Sequence, residues 1–143
     1  MALAIELKND YGIASSTYNL ANAEIYLKQY DKALSHFKDI EANGVRTDDY
    51  IIILDGWLGQ ADVYKMIPEY IDAEFYFKKV ISFSTEKEAP EYEMYAQMGL
   101  VDVYTATTKN QLAAQALARG IALATKLGST NDLKELYFKS AVL

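Results

Sequence analysis

Residues 57–80 read WLGQADVYKMIPEYIDAEFYFKKV, and their spacing decides how the rest of the chain is read. Trp57 is followed four residues later by Ala61 and three after that by Tyr64, and beyond Pro68 come Ala73 and Phe77. Ala73, Phe77, Val80 and Ile81 recur at i, i+4, i+7 and i+8, one face of an α-helix, and they do not alternate as a strand requires. Proline between the two halves ends one helix and starts another. The stretch is therefore a pair of helices. Ala61 and Ala73 let the two backbones approach, while Trp57, Tyr64 and Phe77 fill the space between layers.

Sliding the sequence against itself by forty residues, without a gap, superposes Ala33, Ala73 and Ala113, then Phe37, Phe77 and Leu117, then Ile40, Val80 and Gly120. Thr17, Trp57, Gln97 and Tyr137 form another column, and Ala21, Ala61, Val101 and Ala141 a further one. The chain is thus one domain built from an internal repeat. Residues 1–10 read as the tail of a preceding repeat, with a break near Asp10. Repeat one spans 11–44, with helices over 11–28 and 31–42, the second stopped by Asn43 and Gly44. Val45 and Arg46 read as linker. Repeat two spans 47–85, with helices over 48–66 and 69–84, the first opened by Thr47, Asp48 and Asp49. Repeat three spans 89–128, with Pro90 near N1, helices over 92–106 and 111–127, and Gly128 as the stop. Residues 130–143 open a fourth repeat, with Ser129 and Thr130 as caps. A solenoid repeat needs neighbours to bury its apolar face, so these ragged ends are expected of a piece of a longer array.

The markers Trp57, Ala61, Tyr64, Ala73 and Phe77 resemble the tetratricopeptide repeat. Repeat one keeps Leu20, Ala21, Tyr30, Ala33 and Phe37, with Glu24 where the family has tyrosine; repeat three keeps Leu100, Tyr104 and Ala113, with Gln97, Leu117 and Gly120 at the other marker positions. A forty-residue period, against the family's usual length of about 34, implies longer helices and is similar to arrays attached to bacterial regulators and sensors. The resemblance implies an all-α, right-handed solenoid of antiparallel helix pairs with about seven to eight helices. It also implies a protein- or peptide-binding scaffold whose first helices line a concave face. Carried over residue by residue, that groove takes Tyr18, Asn22 and Tyr26, beside Ser15 and Ile25, from repeat one. Repeat two supplies Asp55, Leu58, Asp62, Lys65 and Met66, and repeat three Tyr95, Met98 and Asp102, beside Thr105. The forty-residue shift superposes Asn22, Asp62 and Asp102, and two carboxylates in such a column favour an extended ligand that is basic. The family's clamp for acidic C-termini finds only Asn22; Tyr18, Gly59, Tyr95 and Gly99 hold its other positions.

Composition narrows the remaining classes. With 143 residues and 51% apolar content the chain can bury a core. A net charge of −6, from 14 basic and 20 acidic residues, is the wrong sign for nucleic acid. No apolar run approaches the roughly 18 to 20 residues of a membrane span, and MALAIELKND carries acids where a secretion signal is basic and then apolar. The absence of Cys excludes disulfides and thiolate sites and fits a cytoplasmic protein. His36 is the only histidine, expected on a surface or between helices, so no H-E-x-x-H zinc site is available. The seven Gly make no phosphate-binding motif, and no G-x-S-x-G elbow occurs. The acid pairs Glu86 with Glu88 and Glu91 with Glu93 read as solvated helix-start residues. No cofactor, metal or enzymatic role is implied. The expectation is a binding module. The alternative is self-association, a homodimer through the C-terminal helix, where Leu133, Leu136, Tyr137 and Val142 would lack the helix that should cover them.

Overall fold

The computed structural model describes the backbone of residues 2–141 and the side chains of residues 12–141. The described residues form an all-α solenoid of seven helices: α1 (Ala2–Tyr26), α2 (Tyr30–Thr47), α3 (Tyr50–Met66), α4 (Tyr70–Glu86), α5 (Pro90–Ala106), α6 (Asn110–Leu127) and α7 (Thr130–Ser140). Each helix packs on its sequence neighbours, as connections this short require. Beyond neighbours, α1 touches α3 and α3 touches α5, with no comparable contact between even-numbered helices among the described residues, so the odd-numbered helices form the inner side. Most residues of the motif columns are core, while Tyr137 and Ala141 at the end of the series are exposed. Ala21, Ala61, Ala33, Ala73, Ala113, Phe77 and Val80 are fully buried, and Phe37, Ile40, Val101 and Leu117 nearly so. Trp57 and Tyr64 pack at the margin, Trp57 on Phe83 at 5.3 Å between centroids and Tyr64 stacked on Tyr76 at 5.7 Å.

Helices α2 to α7 begin at residues 30, 50, 70, 90, 110 and 130, so the unit underneath the forty-residue repeat is a helix every twenty. Every connection closes with one bond type: the backbone N–H of Gln29, Asp49, Glu69, Ala89, Lys109 and Ser129 donates to the carbonyl five residues back, at 2.7–2.9 Å. This is the six-to-one bond of a Schellman ending. The left-handed residue it uses is Lys28, Asp48, Glu88, Thr108 or Gly128, again at intervals of twenty. Residue 68 is the exception in the series, since proline cannot take positive φ.

Several boundaries differ from expectation. No connection separates residues 2–10 from the first inner helix: α1 runs straight through Asn9 and Asp10, where no proline or left-handed residue interrupts it. Helix α2 continues past Asn43 and Gly44, through Val45 and Arg46, to Thr47. Gly44 is there for close approach, because a Cβ on it would stand 2.7 Å from the backbone nitrogen of Ile53. The stop is Asp48, with φ 53°. The cap of α3 is Asp49, whose carboxylate accepts from the N–H of Ile51 and Ile52 at 3.0 and 3.3 Å. Pro68 precedes α4 by two residues, whereas Pro90 opens α5 as expected. Ser129 makes no side-chain bond to the α7 backbone; its hydroxyl donates to Asp132 instead. Among the described residues, no helix is long and apolar enough to cross a membrane.

Candidate ligand groove

The inner side carries a hollow of about 380 Å³ lined by Tyr18 of α1, Leu58, Asp62 and Lys65 of α3, Tyr95, Met98, Gly99 and Asp102 of α5, and Asp132, Glu135 and Lys139 of α7. It is open because the inner helices, each one repeat apart, present the same face in sequence. The floor follows from core packing. A Cβ on Gly99 would lie 2.2 Å from the ring of Phe77, and one on Gly59 would lie 2.1 Å from that of Phe37. Both glycines therefore admit a phenylalanine from the preceding outer helix.

Polar contacts across this face share one separation. The Tyr92 hydroxyl donates to Asp55 Oδ1 at 2.7 Å, Lys65 Nζ to Asp102 Oδ2 at 2.9 Å, and Lys139 Nζ to Asp102 Oδ1 at 2.6 Å, each across 37 residues. That is the forty-residue period less about one turn, so neighbouring inner helices are offset by a turn where they face each other.

The two aspartates expected as equivalent rungs are chemically different. Burial works to raise the Asp102 carboxyl, but Lys139 and Lys65 outweigh it and hold it below the usual range. Asp102 is already engaged on both oxygens and is not a free acceptor. Asp62 makes no hydrogen bond or ion pair among the described residues, and burial pushes its carboxyl up to about 6, opposed by Lys65 and assisted by the charge of Asp102. Asp55 is also raised, first by burial, and is taken up by Tyr92.

Of the expected groove residues, Tyr18, Leu58, Asp62, Lys65, Tyr95, Met98 and Asp102 meet in the hollow. Asp55 lies instead in a smaller cleft of about 90 Å³ with Ser15 and Tyr18. Asn22 is exposed as a polar neighbour of Tyr18, Tyr26 is 88% exposed, and Met66 is half exposed at the end of α3. Asp132, Glu135 and Lys139 were not among the expected residues. The forty-residue shift pairs Glu135 with Tyr95 and Lys139 with Gly99, so the register points at them although their chemistry differs from the earlier repeats.

The position that departs from tyrosine, Glu24, is buried and accepts from His36 Nδ1 of α2 at 2.5 Å, which makes His36 an interhelix residue. Glu93 of α5 is held in a similar way by Arg119 of α6, at 2.8 and 3.0 Å, below the usual carboxylate range. Such pairs join inner to outer helices and leave the hollow free.

The open terminal face is smaller than expected. Leu136 is fully buried and approaches Gly120, whose Cβ would stand 3.1 Å away, and Leu133 packs partly on the same core. Leu136 points back at α6, and Leu133 is half-buried against the same core. Tyr137 and Phe138 remain exposed, at 59% and 74%. Val142 lies outside the described residues. No family model matches the sequence, and no curated protein matches it.

Proposed function

We propose that the chain is a tetratricopeptide-like scaffold of the adaptor or sensor kind, which binds an extended, basic protein segment along its inner face. One observation carries this reading: Asp62, a carboxylate with no hydrogen bond or ion pair among the described residues, faces an open hollow walled by Tyr18, Leu58, Tyr95 and Met98. A carboxylate kept from full solvation gains most from a cation brought to it, and the tyrosine and methionine side chains adapt to the stem that carries the charge. Asp102 shapes the site by taking the hydrogen bonds of Lys65 and Lys139, so that Lys65 acts on Asp62 only through its charge. Titration of labelled Lys-rich peptides by fluorescence polarisation tests the reading. Asp62→Asn is expected to weaken binding roughly threefold to tenfold; equal affinity for variant and parent overturns it. Self-association through α7 is the second reading, favoured by the exposed Tyr137 and Phe138.

A further inference from the structure

Four carboxylates and two ammonium groups line the hollow: Asp62, Asp102, Asp132 and Glu135 against Lys65 and Lys139. Both ammonium groups are committed to Asp102, at 2.9 and 2.6 Å. Lys139 approaches Glu135 only to 3.7 Å, beyond a hydrogen bond. Asp132 receives a bond from the uncharged hydroxyl of Ser129, and Asp62 receives none among the described residues. Three carboxylates thus lack a hydrogen-bonded ammonium group, Asp62 on α3 and Asp132 and Glu135 on α7, so the net negative charge of the lining stands on two sides of α5. Between them lie the Tyr95 ring and the Met98 side chain, surfaces that suit an aliphatic stem with a charged end.

Resting on that reading of the groove, we infer that the hollow takes a segment carrying two cationic side chains, one seated at Asp62 and the other at Asp132 and Glu135 of α7. A ligand with one positive charge leaves a carboxylate without a counter-charge, and an acidic ligand is repelled. The last helix is then part of the recognition surface as well as part of the packing.

The test uses labelled Gly/Ser peptides with two lysines separated by one to five residues, together with versions in which either or both lysines are acetylated. Acetylation removes a charge and keeps the chain. Acetylating either lysine of the best peptide is expected to weaken binding roughly threefold to tenfold. Asp62→Asn should abolish the penalty at one lysine and Asp132→Asn with Glu135→Gln the penalty at the other. If a singly acetylated peptide binds as tightly as its parent, or the α7 variant binds unchanged while Asp62→Asn still weakens binding, the two-cation site is wrong and the groove reading stands. If no peptide binds, both are wrong. The acetylated peptides decide the matter on the parent protein, so a variant that fails to fold does not stall the test.

Discussion

Gly59 and Gly99 stand forty residues apart, and each makes room for the phenylalanine twenty-two residues before it, Phe37 or Phe77. Neither turn chemistry nor flexibility explains them, since both sit inside helices and are buried. Gly59→Ala forces a ring to move in a packed core and is expected to cost about 1–3 kcal/mol in urea unfolding. Gly12→Ala is the control, because its Cβ would meet nothing within 4 Å and alanine favours the helix. At Asp62 the sign of the pH effect follows from the folded-state value near 6 against the ordinary 3.8. Between those values the folded chain holds a proton that the unfolded chain has lost, so this group makes stability fall as pH rises through the window. Asp62→Asn is expected to remove that slope and to stabilise the protein at pH 7 by on the order of 1–3 kcal/mol. Asp102 acts in the opposite sense: its lowered value contributes stability above 3.8 that is lost as pH falls through the folded-state value. Unfolding midpoints of parent and variant, compared at pH 4 and pH 7, separate the two residues.

At the level of the helix, one ending is repeated six times on six different sequences. The bond from residue 29, 49, 69, 89, 109 or 129 to the carbonyl five back is present whether the intervening residue is Lys, Asp, Pro, Glu, Thr or Gly. Four of those positions hold a residue other than glycine at positive φ, from 53° to 60°. Thr108 is the least suited, being β-branched and exposed. Thr108→Gly is expected to raise stability by about 1 kcal/mol, because the left-handed conformation costs other residues roughly 1–2 kcal/mol and glycine almost nothing. A lower melting temperature for the variant would show that the hydroxyl bond to Thr107 outweighs the backbone strain. The twenty-residue rhythm of these endings was hidden in the sequence. A shift of twenty does superpose Tyr30, Tyr50 and Tyr70, and the buried positions Ile40, Gln60, Val80, Leu100 and Gly120, but the residue types change between inner and outer helices and the forty-residue match is the closer one. Gly44, read as a stop, misled for a related reason: a glycine that lets helices touch and one that ends a helix look alike until the neighbour is placed.

For the molecule as a whole, contacts pass from each helix to the next and between alternate inner helices, as in a quasi-one-dimensional array. Among the described residues of the terminal face, Tyr137 and Phe138 are the exposed large apolar side chains, while Leu136 is sealed against α6. If α7 pairs two copies, light scattering over a range of concentrations will show a dimer that Tyr137→Ser with Phe138→Ser dissolves; a monomer throughout removes that reading. The sequence by itself determined the helical class, the forty-residue phase, the core columns and most of the inner-face residues. Those depend on apolar spacing along single helices, and such spacing is local. Only the tertiary structure decided that Asp62 makes no hydrogen bond among the described residues while Asp102 is doubly engaged, that Asp55 pairs with Tyr92, and that α7 lines the hollow. The contacts among these depend on an offset of about one turn between inner helices forty residues apart, which brings residues 37 apart together, and that offset is set by how the layers pack.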